Sequence, residues 1–283
     1  MIYGQYWSHW TTVDTAKFAN TNNTIDIEFI IIRARGGGKD DSRFTEHRNQ
    51  VRVLQAKSGS MIWGADAFLG YVNSGTGKQQ AEDFWNLINA GGKEWEINPE
   101  LDVEFQPNEY NTNGTVKNYH PVPTNFVNGI LWPAVDTLSQ HLGHRPTIYA
   151  NLNVIKEFFT AKYTQPIPDW LVECPLHIAS YNNYDAPVMN PADKTYWTHY
   201  QMWQFTNTTT WAGASSICLE KRLGTRVDLK EWNKNPTATF GPGDTTTPEP
   251  PVPPTPPTTD IEARITALEA KIAAGFTGTV TVK

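Results

Sequence analysis

Asp102 and Glu104 stand two residues apart in the apolar run LDVEF, residues 101–105. In a strand, alternate side chains share a face, so both carboxyls point one way while Leu101, Val103 and Phe105 pack on the other. At about 3.3 Å of rise per residue their backbone positions lie roughly 6.5–7 Å apart. Each negative charge raises the other's proton affinity, and an apolar wall raises it further, so one carboxyl can stay protonated near neutral pH. An acid for the leaving oxygen, beside an anion for a developing oxocarbenium charge, is the equipment that cuts a glycosidic bond. Alone, the triplet fits a surface or metal-binding pair as well, so its surroundings must decide.

The elements that would position the pair are legible. Strand-like runs cover residues 1–7, 28–34, 60–68, 101–105, 147–151, 176–181 and 200–205, and helix-like periodicity covers 43–57, 78–89, 123–142 and 151–161. This alternation, with Ile and Val nearly continuous in the strands, predicts a parallel sheet buried on both sides. Seven or eight strands within 236 residues fit one closed α/β barrel, irregular after residue 161 where helices become scarce. Active sites of such barrels lie at the C-terminal strand ends. The polar and aromatic residues expected there are Trp63, Asp66, Tyr149, Asn151, Tyr181, Trp203 and Gln204, with Asp228 further on. Eleven Trp and eleven Tyr suit a protein that stacks rings on sugars, although large cores use such residues too.

Read in order from Gly4 to Asn233, the chain resembles the glycoside hydrolase family 25 muramidases, the Chalaropsis-type lysozymes common among phage endolysins. GQYWSHW (4–10) is similar to the family's opening G-I-D-V-S-H-W, FIIIRARGG (29–37) to F-V-I-I-K-A-T-E-G, and DSRF (41–44) to D-P-x-F. Gln80 and Ala81 fit the Q-A of the helix before the catalytic strand, and LDVE carries the D-x-E signature. TIYAN, LHIASY, MWQFT and VDLKEW resemble the later strand motifs I-Y-T-N, L-W-I-A-x-Y, W-Q-Y-S and V-D-x-N-x-F. The resemblance implies an irregular TIM-like barrel that cleaves the β-1,4 bond between N-acetylmuramic acid and N-acetylglucosamine without a cofactor. It makes Glu104 the general acid/base and Asp102 the group that orients the substrate's N-acetyl function or faces the anomeric charge. Tyr6, Asp66, Tyr149, Tyr181, Trp203 and Asp228 become expected substrate contacts, and Asp228 fits a strand-end cap equally well.

Departures from the pattern matter. The family's early aspartate falls at Tyr6, its glutamate after the second strand falls at Gly36, and the Y-H of G-A-Y-H-F becomes Asp66-Ala67. Asp66 is a new acid that could replace a lost one, or the cleft could serve another glycan. The surviving D-x-E pair favours a working enzyme; the rival expectation is a catalytically weak glycan-binding adhesin on the same barrel.

Three segments are expected: the barrel over 1–236, a Pro/Thr-rich linker over 237–260, and a short coiled-coil tail over 261–283. The stretch GPGDTTTPEPPVPPTPPTTD has Val252 as its one large apolar residue and reads as an extended spacer. Beyond it Ile261, Ile265, Leu268 and Ile272 keep coiled-coil spacing, predicting a homotrimeric stalk. A net charge of −6 argues against nucleic acid. Apolar runs are too short to insert in a membrane, and MIYGQYWSHW lacks a secretory layout, so the chain is expected to be made in the cytoplasm and to act on the bacterial wall after release or on a virion. Cys174 and Cys218 form no disulfide framework and leave the redox compartment undecided. The loop GGGK at 36–39 lacks P-loop spacing and reads as a flexible loop over the cleft. His141 and His144 read as solvated cap residues rather than metal ligands, and His9 as packing under the barrel.

Overall fold

The computed structural model describes residues 2–18, 27–59, 61–160, 168–181, 197, 200–207, 209–211 and 213–222. All of them belong to the first of two compact units, Met1–Thr245. Asp228, the linker and the tail helix lie outside the described residues.

Eight strands form a closed ring. They are β1 (Ile2–Trp7), β2 (Ile27–Gly36), β3 (Ile62–Phe68), β4 (Glu100–Asp102), β5 (Thr147–Asn151), β6 (Leu176–Ala179), β7 (Met202–Gln204) and β8 (Ala214–Arg222). Neighbours from β1 to β7 run parallel, while β8 is antiparallel to both β7 and β1 and closes the ring between them. The expected all-parallel sheet is corrected at that strand. ASSICLEKR escapes the sequence pattern because its inward residues are Cys218, Glu220 and Arg222 rather than aliphatics.

Strand alternation sorts the interior into layers. At one end Ile2, Phe29, Ile31, Ile62 and Met202 form an apolar plug with Ile97. Toward the C-termini of the parallel strands the same inward positions turn polar, at Arg33, Asp66, Asp102, Tyr149, His177 and Gln204, and antiparallel β8 adds Glu220 opposite Gln204. Outward residues such as Ile30, Ile32, Trp63, Leu101, Ile148 and Ile178 join the larger cluster beneath the helices.

Helix α1 (Phe44–Ser58) buries Phe44, His47, Val51 and Leu54, and ends at Gly59, whose φ of 64° lets its N–H reach Gln55 O. Helix α2 (Gly77–Asn89) starts at Thr76, whose side chain accepts from the Gln79 N–H at 3.1 Å. The helix expected over 123–142 is two pieces: a π-helical turn at Val127–Leu131 and then α3 (Trp132–Leu142). A Cβ on Gly77 would lie 1.8 Å from the Ile130 carbonyl oxygen, so α2 begins in direct backbone contact with that turn. Gln80 clamps the loop after β3, accepting from the Gly70 N–H and donating to the Gly70 carbonyl, both at 2.9 Å. A hairpin, Pro107–Tyr110 paired with Val116–Tyr119, follows β4 and was not expected from the sequence. No helix among the described residues is long and apolar enough to cross a membrane.

Candidate active site

Arg33 is the charge at the centre of the barrel's polar end. Its guanidinium hydrogen-bonds Asp102 Oδ2, and its Nε lies 3.7 Å from Asp66 Oδ2. The Tyr6 hydroxyl is 2.9 Å from both Asp66 oxygens, and its ring sits 5.3 Å from the guanidinium carbon. β1, β2, β3 and β4 therefore bring Tyr6, Arg33, Asp66 and Asp102 into one cluster, its two carboxyls buried and Tyr6 and Arg33 half-buried. The position of the family's early acid is a tyrosine tied to Asp66, and Asp66 is a carboxylate the family pattern lacks. Arg33 was not among the expected site residues. Its signal was present, as a charge at the inward parity of Phe29 and Ile31, directly after the apolar run 29–32.

β4 is shorter than the run LDVEF suggested, and Glu104 lies two residues beyond its end. The ladder nevertheless continues, because Val103 N–H donates to the Tyr149 carbonyl at 2.9 Å and Leu69 N–H to the Asp102 carbonyl at 2.8 Å. Glu104 thus keeps the parity of Asp102 and Glu100. Asp102 is sealed, whereas Glu104 is half-buried and lines an open groove of about 630 Å³. Asp102 Oδ1 has no hydrogen-bond partner among the described residues.

Burial pushes each acid up. Desolvation raises the Asp102 pKa well above the usual carboxylate range, the Glu104 charge adds to it, and Arg33 opposes. For Glu104 burial raises and Arg33 lowers, leaving a net rise. Asp66 is carried by burial, against Arg33, to about 7. A half-buried carboxyl with a raised pKa, facing a groove, is chemically a general acid; a sealed one paired to arginine is a fixed charge and orienting group.

Beneath this cluster lies a second one that the sequence did not announce. His177 Nδ1 is 3.0 Å from Glu100 Oε2 and its Nε2 is 2.7 Å from Glu220 Oε2, all three side chains fully buried. Burial alone would lower the His177 pKa, but the two carboxylates outweigh it and raise it to about 10. Gln204 Nε2 donates to Glu220 Oε1 at 2.8 Å, so its Oε1 faces the other way and accepts from Tyr149 at 2.8 Å and from Tyr181 at 2.6 Å. The two phenols also hydrogen-bond each other, so their protons are shared between Gln204 Oε1 and that contact. His177 stands where the family motif has Trp.

The expected contacts divide by exposure. Tyr181 is exposed, Tyr149 is buried beside it, and Asp66 and Tyr6 lie in the cluster below Glu104. Trp203 is on the outward face with the helix-side core, its Nε1 donating to the Ser180 carbonyl at 2.7 Å; Gln204 is the inward residue there. The GGGK loop is a tight turn, with Gly37 at φ 58° and Gly38 at φ 86°, and its Gly36, Gly37 and Lys39 line the groove. His9 also lines the groove instead of packing beneath the barrel. His141 pairs with Glu82 at 3.0 Å and stacks on Trp85. Both cysteines are free thiols.

The sequence pattern described as Glycosyl hydrolases family 25 matches residues 7–214. Among solved structures, a family 25 glycosyl hydrolase from Bacillus anthracis superposes with a TM-score of 0.58 at 21% identity, covering 82% of this chain and 93% of its own. A muramidase from Acremonium alcalophilum gives 0.57 at 20% identity, covering 82% and 99%. The modular autolysin LytC from Streptococcus pneumoniae, solved with a synthetic peptidoglycan ligand, gives 0.55 at 18% identity, covering 77% and 46%. No curated protein matches the sequence.

Proposed function

The chain belongs to glycosyl hydrolases family 25, and from that premise we propose that it is a peptidoglycan hydrolase cutting the β-1,4 bond between N-acetylmuramic acid and N-acetylglucosamine. One observation carries the reading: Glu104, its proton affinity raised by burial, opens onto a groove that Arg33 also lines, and Arg33 in turn holds the sealed carboxyls of Asp102 and Asp66. Glu104 donates its proton to the glycosidic oxygen as the bond breaks, and as the resulting carboxylate takes a proton from the incoming water. Asp102, fixed by Arg33, orients the N-acetyl group of the sugar at the cleavage point or faces the charge growing at its anomeric carbon. Tyr149 and Tyr181, held by Gln204, present their hydroxyl oxygens to substrate N–H or O–H groups.

The source is read as a phage or prophage, and the protein as an endolysin or virion-associated lysin. The proline-rich spacer and coiled-coil spacing of the tail support that reading. A trimeric stalk would hold several barrels against one repetitive surface and raise avidity without new contacts.

Purified peptidoglycan digested with the full chain and reduced with borohydride tests the bond choice by mass spectrometry. Fragments with a reduced N-acetylmuramic acid end support the muramidase reading. Reduced N-acetylglucosamine ends would assign another bond, and tight wall binding with no fragments would assign the adhesin.

A further inference from the structure

Large exposed apolar residues are few among the described ones, and half of them line one groove. They are Trp10, Tyr110 and Tyr119, which are 73%, 61% and 51% exposed. Trp10 follows β1, and the two tyrosines lie on the hairpin after β4. β1 and β4 are three steps apart around an eight-strand ring, so these rings approach the mouth from facing sides with Glu104 in the same groove.

Two of the three rings, Trp10 and Tyr119, stand on packed neighbours. The Trp10 ring packs on His9 with centroids 4.5 Å apart. His9 is tied twice to Asp41, through its backbone N–H and its Nδ1, each 3.0 Å from Oδ2. The Asp41 side chain is 1% exposed and also accepts from the Arg43 N–H at 2.9 Å. An indole left in water thus stands on a buried anchor. Across the groove the Tyr119 ring lies 5.5 Å from Phe105, which packs on buried Phe158 at 5.1 Å. The hairpin is braced by Lys117 and Asn118, which reach Glu109 Oε2 at 3.0 and 3.1 Å. Holding bare rings rigid in solvent stabilises nothing by burial; it lowers the ordering cost when a flat, partly apolar ligand covers them. A pyranose offers such a face, with axial C–H groups ringed by hydroxyls and amides. Lys39, Asp40 and Asn151 line the same groove and can meet those polar groups.

We propose that Trp10 and the Tyr110/Tyr119 hairpin are two sugar-stacking platforms on facing sides of the cleavage point, binding N-acetylhexosamine rings of a glycan strand beyond those that flank the scissile bond. The proposal rests on the groove being the glycan site, and it makes the protein selective for strand length. Each platform adds contact that only a strand extended past the cleavage point can use.

The test compares the full chain with Trp10→Ala and Tyr110→Ala/Tyr119→Ala on purified, peptide-free glycan strands fractionated by length. For each variant the expected loss in kcat/KM is about tenfold larger on long strands than on the shortest strand cleaved, carried by KM, as removal of one sugar-stacking platform implies. Trp10→Phe and Tyr110→Phe/Tyr119→Phe should restore most of the length preference, because stacking needs the ring face and not the polar tip. Equal losses at every length, or none, would overturn the platforms. The same substitutions in a Glu104→Gln background, titrated with long strands by calorimetry, read binding without hydrolysis. Weakened binding there with no cleavage by the native chain sustains the platforms and sinks the hydrolase; normal cleavage with unaltered binding does the reverse.

Discussion

Glu104 and Asp102 share chemistry and differ in access to water. Asp102 is sealed and held by Arg33, so it presents a fixed group, whereas Glu104 borders the groove and can exchange its proton. Asp66 sets the pH behaviour of this pair. With its pKa at about 7, raised in part by the Glu104 charge, it ionises as the medium passes neutrality; charge coupling is reciprocal, so the negative charge then added beside Arg33 favours the protonated form of Glu104. Asp66→Asn removes that addition, and the basic limb of the pH–rate profile should move to lower pH, with the inflection near 7 gone. An unmoved profile would show that Asp66 is electrically silent in turnover. The sign for stability is separate: unfolded Asp66 gives up its proton near 3.8 and folded Asp66 near 7, so its contribution is lost as pH rises through that window. At this scale Asp102 and Glu104 were legible because a strand's period of two puts them on one face. Arg33, Glu100 and His177 carried the same parity signal, each a charged or titratable residue at an inward position of an apolar run. The partner that explains each lies on another strand, which a single run of sequence does not display.

At the scale of elements, the Glu100–His177–Glu220 bridge fastens β4, β6 and β8 through the barrel interior. The histidine is raised from 6.5 to about 10, so its stabilisation is complete below about pH 6.5 and fades as pH rises toward 10. The native melting temperature should fall across that interval, while His177→Gln melts lower at pH 7 and shows a flatter dependence; parallel curves would contradict the bridge. Nitrogen-15 shifts of a doubly protonated ring persisting above pH 8 would report it directly. Gly77 gives a backbone test, since alanine there drives a methyl into the Ile130 carbonyl. Gly77→Ala should cost about 1–3 kcal/mol in denaturant unfolding, and a neutral result would mean that α2 and the π turn separate freely. Most strands and helices were readable from periodicity. β8 was not, since its inward face is Cys, Glu and Arg, and neither was the 107–119 hairpin, whose strands are solvated and lack alternation. The π turn was hidden because the apolar spacing of residues 123–142 fits one continuous helix.

The whole molecule couples a barrel to a proline spacer and a segment with coiled-coil spacing. The barrel and its family were legible because many short motifs recur in order over most of the chain, although no single motif would suffice. Sedimentation of the full chain should give a trimer, and Leu268→Asp, which places a charge at a d-type position, should give a monomer. A native monomer would remove the stalk. Glu104→Gln against the native chain, followed on purified cell walls by turbidity and by pelleting, tests the central claim most directly. The account predicts a fall in lysis of about 10²–10⁴-fold with wall binding retained; lysis by the variant at the native rate would contradict it.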